Sequence, residues 1–125
     1  MTIGFMSQLI PSQIVYLEHI DERLYGEIIQ LVPKRQRVWI RPLILKSITE
    51  AASEANLLTG VADLLWPTHL FQPALDVDML PLLSTLQKKN DHPVIDLDGH
   101  REKDSRQRLN QFIENVWCSQ MEYLS

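Results

Sequence analysis

Residues 24–48 read LYGEIIQLVPKRQRVWIRPLILKSI. Two runs rich in β-branched and aromatic residues stand on either side of residues 33–36 (PKRQ). Runs of this composition favour β-strands. A four-residue connection that opens with proline is typical of a hairpin built around a type I turn. The stretch therefore predicts a long antiparallel hairpin, around which the rest of the fold is organised.

The strand after the turn alternates two kinds of side chain. Successive residues of a β-strand point to opposite faces of the sheet, so every second residue shares a face. One set is apolar and suits a core, whereas the other carries positive charge around a tryptophan. We expect Val38, Ile40 and Ile44 to face the core, and Arg37, Trp39 and Arg41 to lie on the opposite face.

Three features predict irregularities in the two strands of the hairpin. Gly26 inside the first strand predicts a bulge or a sharp bend. Pro42 lacks a backbone N–H, so we expect it at a sheet edge or at a second bend. Leu43 and Leu45 break the pattern, which predicts that the far end of the second strand is covered on both faces. Small barrels close by bending long strands, so these features are compatible with a barrel.

The flanking segments extend the sheet. Residues 13–20 (QIVYLEHI) have strand composition, and residues 21–22 follow as a turn. Residues 49–60 (TEAASEANLLTG) are interpreted as a loop, although a short helix would also fit. Residues 61–76 (VADLLWPTHLFQPALD) are short apolar pieces, each stopped by proline, and they predict further strands or a 3₁₀ turn.

The C-terminal part begins with a helix and a loop. Asp78 as N-cap and Pro81 in the first turn predict a helix over residues 78–89. Residues 90–103 (NDHPVIDLDGHREK) are rich in polar and turn-forming residues, which predicts an exposed loop or a linker.

The last helix has the clearest pattern. Asp104 followed by Gln107 is similar to a capping box, which predicts a helix over residues 104–123. Its apolar residues recur at helical spacing and should form one buried stripe. The stripe consists of Leu109, Phe112, Ile113, Val116, Trp117 and Met121.

These elements predict an α+β fold in a single domain over residues 1–125. Residues 13–74 are mainly β and form either a small, strongly bent antiparallel sheet or an SH3-like or Sm-like barrel. The C-terminal helices follow and pack on it. A chain of 125 residues can bury about two-thirds of its surface, which is enough for one core.

Three segments, RLYGEIIQLV, VWIRPLIL and DLLWPTHLFQPALD, resemble those of a small family of cyanobacterial proteins that are built as a small β-barrel with appended helices. The resemblance covers roughly residues 13–86. It implies a barrel and a cytoplasmic bacterial setting. Its motifs are structural and the family has no established activity, so the resemblance implies no catalytic residue.

The composition is that of an ordinary soluble globular protein, with 45% hydrophobic and 22% charged residues. The net charge of −4 argues mildly against a general nucleic-acid binder. The one cysteine, Cys118, allows no internal disulfide and suits a reducing compartment. The sequence has neither an apolar run of the roughly 18 residues that span a membrane nor the basic start of a signal peptide. We therefore expect a cytoplasmic protein with no membrane segment.

Basic charge is concentrated in the hairpin. Residues 33–46 hold five basic residues and no acidic one, while residues 47–87 hold five acidic residues and no basic one. Opposite charges that meet across neighbouring elements would explain this pattern without a ligand. Alternatively, small barrels bind single-stranded nucleic acid by stacking bases on aromatic residues and holding phosphates with basic ones, unless a helix covers the tryptophan. The candidate residues are Lys34, Arg35, Arg37, Trp39 and Arg41.

A second candidate site is the polar loop of residues 92–100. Asp96, Asp98 and His100 could together hold a divalent metal ion. The loop lacks the further oxygen ligands of an EF-hand and the cysteines of common zinc sites, so an ordinary turn is the favoured interpretation. We expect no metal and no other cofactor.

No catalytic constellation is recognisable. Cys118 is interpreted as a packed or half-packed thiol, and His19 and His69 belong to no triad. Apolar residues within 3–10, within 64–75 and on the last helix instead suggest protein contact. We therefore expect a non-enzymatic binding or adaptor domain that acts through a protein partner or through self-association, with single-stranded RNA binding by the basic hairpin as the alternative.

Overall fold

The computed structural model describes residues 9–48, 56–75, 77, 80 and 100–124. Strands, two 3₁₀ turns and a long helix occur within these residues. The strands are β1 (Ile14–His19), β2 (Glu22–Val32), β3 (Arg37–Ser47), β4 (Asn56–Leu57), β5 (Leu64–Pro67) and β6 (Gln72–Pro73); the 3₁₀ turns are Pro33–Arg35 and Thr68–Leu70, and the helix is α1 (His100–Leu124).

The strands form one antiparallel sheet in the order β4–β3–β2–β1–β6, and β5 also pairs with β3. β5 borders the first half of β3 and β4 the second half, so both lie on the same side of β3. The sheet is open, since neither β4 nor β5 pairs with β6 among the described residues. A sheet followed by a C-terminal helix confirms the predicted α+β class.

The connection from β5 to β6 bends the sheet. β5 lies beside β3 and β6 beside β1, so four strand spacings separate them. In a flat sheet four spacings are about 19 Å. The chain connects the two strands between Pro67 and Gln72, and the 3₁₀ turn Thr68–Leu70 makes this connection shorter than an extended chain. Even fully extended, five residues reach only about 17 Å, so the two edges of the sheet curl towards each other.

A bulge bends the central hairpin. The register of β2 against β3 shifts between Tyr25 and Gly26. Gly26 pairs with Pro42, whereas Tyr25 pairs with Ile44, so Leu43 is the extra residue. The bulge predicted at Gly26 is therefore confirmed. Pro42 lies opposite Gly26 at the same bulge and does not form the second bend that was predicted as one of its two possible places.

The bulge changes the face on which Ile44 lies. Val38 and Ile40 belong to the main core, whereas Ile44 packs with Tyr25 in a second, smaller cluster. The prediction that Ile44 shares a face with Val38 and Ile40 is wrong, because an extra residue displaces the alternation by one. Leu45 then joins the main core. Ile44 and Leu45 are both buried, so the far end of β3 is covered on both faces, as predicted.

Helix α1 covers one face of the sheet. Leu109, Phe112 and Val116 are buried, and they belong to the same cluster as Val38 and Ile40. These three positions recur at helical spacing and confirm the core of the predicted stripe. We call the sheet face that α1 covers the inner face, and the opposite one the outer face.

Helix α1 begins earlier than predicted. It starts at His100, so residues 100–103 are helical and do not form part of a loop. Asp104 lies inside the helix and is not its N-cap; its Oδ2 accepts a hydrogen bond from Nε of Arg108 at 3.0 Å. The first turn carries no apolar stripe, so periodicity could not reveal it. Among the described residues, no helix is both long enough and apolar enough to cross a membrane.

Trp117 lies at the side of the predicted stripe and is less buried than its spacing suggests, while the side chain of Met121 is not among those described. Trp117 is 38% exposed and packs edge-on against Trp66, with 5.2 Å between the ring centroids. The adjacent Cys118 is exposed, contrary to its interpretation as a packed or half-packed thiol. The helix predicted over residues 78–89 lies outside the described residues except for Leu80.

The β1–β2 turn contains a strained residue. The turn is formed by Ile20 and Asp21, and Glu22, predicted in the turn, already belongs to β2. Ile20 has a φ of 56° and is 82% exposed. The left-handed region is unfavourable for a β-branched residue, and burial does not compensate for it at this position.

Replacing Ile20 with glycine should raise the free energy of unfolding by about 1 kcal/mol, because relief of the strain exceeds the added entropy of the unfolded chain. Urea unfolding measures the change. Ile48→Gly is the matched control, since Ile48 is also exposed but has no positive φ. Glycine should bring no gain there. Equal stability of Ile20→Gly and the wild type would contradict the strain.

Candidate functional site

Strands β3 and β5 form the candidate site on the outer face. Arg37, Trp39 and Arg41 share this face, since the alternate residues of β3 are buried on the inner one. In the β3–β5 register Trp39 lies opposite Leu65, and Arg37 lies opposite Pro67. Residues that lie opposite each other in a ladder share a face, so Leu65 stands beside Trp39.

The Trp39 ring is accessible. Its relative exposure is 41%, and that of Leu65 is 50%. Helix α1 packs on the inner face and does not cover either residue. The sequence left open whether a helix covers Trp39, and the structure shows that α1 does not.

Asp63 holds the tryptophan in place. Trp39 Nε1 donates a hydrogen bond to Asp63 Oδ2 at 3.0 Å. The other carboxylate oxygen, Oδ1, lies 3.5 Å from Nε of Arg41. Both members of this ion pair are partly exposed, so it adds little stability. The predicted neutralisation of hairpin charge by the acidic segment of residues 47–87 is nevertheless confirmed for Arg41.

The hairpin end of the face remains positive. Lys34 and Arg35 are exposed on the 3₁₀ turn, and Arg37 follows as the first residue of β3. Within the described ranges, none of these three side chains forms an ion pair. Glu18 on the neighbouring strand β1 pairs with Arg23, with 2.6 Å between Glu18 Oε1 and Arg23 Nε.

The other end of the face carries acidic residues. Glu27 lies directly opposite Arg41 in the β2–β3 ladder, and Asp63 contacts the same arginine. Charge on this surface is therefore polarised along β3. We call it the β3–β5 face and define it as Glu27, Lys34, Arg35, Arg37, Trp39, Arg41, Asp63 and Leu65.

The predicted metal ligands are only partly described. Asp96 and Asp98 lie outside the described residues, and His100 is the first residue of α1. In the described part of the chain, no group of three His, Cys, Asp or Glu residues could hold a metal ion. The expectation that Asp96, Asp98 and His100 form an ordinary turn without a metal ion therefore stays a prediction.

Two groups with shifted pKa values lie near the β1–β2 turn. Burial raises the pKa of Glu22, and the neighbouring charge of Asp21 raises it further. Hydrogen bonds to Tyr25 and to Glu18 raise the pKa of Arg23. Local packing and charge explain both shifts, and neither group belongs to the β3–β5 face.

Sequence reasoning did not identify Asp63 and Leu65 as members of the site. The apolar pieces of residues 61–76 were expected to supply further strands or a 3₁₀ turn, and the structure has both. Alternation in the run of residues 61–67 could have separated Leu65 from the buried Trp66. Nothing in the run, however, encodes that it pairs with the first half of β3.

Comparisons of the chain with protein-family models, curated proteins and solved structures find no match. The chemistry of the β3–β5 face is therefore interpreted from its own residues. They provide an accessible aromatic and aliphatic centre, a positive end and an acidic end.

Proposed function

We propose that this protein is a non-enzymatic binding module that contacts a protein partner through the β3–β5 face. One observation carries the proposal: Trp39 and Leu65 stand side by side, both exposed, on a sheet face that α1 leaves open. Contiguous exposed apolar surface is a feature of protein-interaction sites. Tryptophan and arginine are enriched at the centres of protein interfaces.

The hydrogen bond from Trp39 to Asp63 supports the same function. A ring that is already held in one orientation loses less conformational entropy when a partner covers it. Trp39 is thus suited to act as a rigid anchor, with Leu65 beside it as the second apolar contact.

Single-stranded RNA is the second candidate ligand. The exposed Trp39, with Lys34, Arg35 and Arg37 towards the hairpin end, has the elements that stack a base and hold phosphates. Asp63 opposes this function. Its carboxylate accepts a hydrogen bond from the Trp39 ring and would repel the phosphate of a nucleotide whose base is stacked on that ring. We therefore rank a protein partner first.

We also propose that the sheet is of the SH3-like or Sm-like small-barrel type, as in the cyanobacterial family that the sequence resembles. The short β5–β6 connection supports this, because it draws the two edges of the sheet together. A cytoplasmic location is part of the proposal. The exposed free thiol of Cys118 supports it, since such a thiol persists in a reducing compartment.

Affinity capture from a lysate of the source organism tests the contact surface, with the retained proteins compared by quantitative mass spectrometry. Trp39→Ser combined with Leu65→Ser removes the apolar centre. Trp117→Ser is the matched control, because Trp117 is similarly exposed but lies on α1. We expect some proteins to be retained by the wild type and the control and reduced at least about tenfold with the double variant. Identical capture by all three would contradict the proposal.

Nuclease treatment and salt distinguish RNA from protein in the same experiment. Proteins that are captured through RNA are lost after nuclease treatment, and phosphate contacts weaken steeply with salt because counterions are released. A direct contact through an apolar centre should survive both treatments. Loss of all Trp39-dependent capture after nuclease would place RNA first.

A further inference from the structure

We infer that the partner presents an acidic segment, with carboxylates over the hairpin end of the β3–β5 face and an apolar side chain against Trp39 and Leu65. This inference rests on the proposed function and adds the chemistry of the partner. It follows from the way in which charge is distributed along β3.

The two ends of the face differ in charge. Lys34, Arg35 and Arg37 form no ion pair among the described residues, so the hairpin end offers three available cations. At the opposite end Arg41 is accompanied by two carboxylates, those of Asp63 and Glu27. The apolar pair lies between the two ends. A complementary partner is therefore acidic only on the hairpin side of its apolar contact.

This asymmetry suits a peptide better than a nucleic acid. Arg37 and Arg41 are four residues apart on one strand, which separates their Cα atoms by about 14 Å. A phosphodiester chain that covers Trp39 and spans this distance carries a negative charge at every nucleotide, so it brings phosphates close to Asp63. A peptide can place its carboxylates over the hairpin end alone and leave the Asp63 end neutral.

A second copy of the chain is less complementary. The β3–β5 face holds four basic and two acidic side chains, so each copy contributes an excess of positive charge. Pairing two such faces about a two-fold axis at Trp39 sets the acidic end of one copy against the hairpin end of the other. Asp63 already pairs with Arg41, however, so surplus cations remain on both sides of the interface. Like charges in an interface disfavour association. The charge of the face thus favours an acidic protein over self-association.

Titration of the ¹⁵N-labelled full chain with defined peptides tests the inference. The chain has three tryptophans, so the indole N–H region of the NMR spectrum is simple, and Trp39→Phe assigns the resonance of Trp39. The probe is a peptide with four consecutive glutamates, one glycine, one phenylalanine and one leucine. The control peptide carries lysines in place of the glutamates. We expect the glutamate peptide to shift the Trp39 resonance saturably and the lysine peptide to leave it unchanged.

Charge reversal locates the acidic half of the peptide. Lys34→Glu with Arg35→Glu should weaken binding of the glutamate peptide about tenfold or more. Lys103→Glu with Arg106→Glu is the matched control, because both residues are exposed on α1 and the change in net charge is the same. The control should bind like the wild type. Equal weakening by the two double variants would overturn the inference, since only overall charge would then matter.

The remaining outcomes separate this inference from the proposed function. If the lysine peptide shifts Trp39 as strongly, or no peptide does at millimolar concentration, the acidic partner is overturned, while the capture experiment still decides whether the face binds protein. A Trp39 shift that depends on protein concentration without peptide would assign the face to a second copy. Tighter binding of a twelve-nucleotide oligouridylate than of the glutamate peptide would assign it to RNA.

Discussion

Replacing Phe112 with alanine should lower the free energy of unfolding by about 3–5 kcal/mol, the range measured for large aromatic residues in protein cores. Phe112 is 1% exposed and lies in the middle of the helical stripe that contacts the sheet. Its ring also packs edge-on against His19, with 6.3 Å between the centroids. Alanine removes these contacts and leaves a cavity that the surrounding strands cannot fill completely.

Urea unfolding followed by circular dichroism measures this loss, with Asn110→Ala as the control. Asn110 is exposed on the same helix, so its replacement should change stability by less than about 0.5 kcal/mol. If Phe112→Ala does not fold, Phe112→Leu provides a second measurement, and its loss should be greater than that of Asn110→Ala and less than about 3 kcal/mol. A loss below about 1 kcal/mol for Phe112→Ala would contradict the packing of α1 on the inner face.

The hairpin shows which parts of the fold a sequence pattern determines. Composition and turn length predicted both strands of residues 24–48 and the connection between them, because these are local properties. Gly26 and Pro42 each predicted an irregularity, yet the sequence did not indicate that they lie opposite each other. The face predicted for Ile44 was consequently wrong, since one extra residue moves every later side chain of a strand to the opposite face of the sheet.

Helix α1 shows a different limit of sequence reasoning. The stripe through Leu109, Phe112 and Val116 was correctly predicted, because periodicity reports the face that is buried. Trp117 fits the same periodicity and is nevertheless exposed. Trp117 directly follows the buried Val116, so it lies about 100° further round the helix, at the side of the stripe. Periodicity gives the centre of a buried stripe, but its width depends on how the sheet packs against the helix.

The candidate site was predictable only in part, for the same reason. Arg37, Trp39 and Arg41 were assigned to one face by alternation alone. The exposure of that face depends on the side of the sheet that α1 occupies, and the hydrogen bond of Trp39 depends on Asp63, which is 24 residues away. Opposite charges in neighbouring segments indicated that the hairpin would meet acidic residues. They did not indicate that neutralisation would stop at Arg41 and leave the hairpin end positive.

Replacing Gly26 with alanine should lower the free energy of unfolding by about 2–3 kcal/mol. Inside most strands the same replacement stabilises a protein, because glycine loses more conformational entropy on folding than alanine does. A Cβ atom at this position would collide with Cγ2 of Ile40 and would lie 2.9 Å from the carbonyl oxygen of Arg41. The first contact is inside the core and the second is with backbone, so neither neighbour can move freely. Glycine is required at the bulge because β2 and β3 approach each other closely, and a methyl group would force them apart.

A double-mutant cycle with Ile40→Leu tests this cause. Leucine is not branched at Cβ and so lacks the colliding Cγ2, while the contact with the Arg41 carbonyl remains. Gly26→Ala combined with Ile40→Leu should therefore cost less than the sum of the two single replacements, by about 1 kcal/mol. Gln30→Ala, at an exposed position of the same strand, is the control for an added alanine and should change stability little. Strict additivity would show that the collision with Ile40 is not the source of the loss. Because Ile40 and Arg41 directly follow Trp39, the Gly26→Ala variant should also shift the Trp39 indole resonance, whereas Gly26→Ala with Ile40→Leu should return it towards the wild-type position.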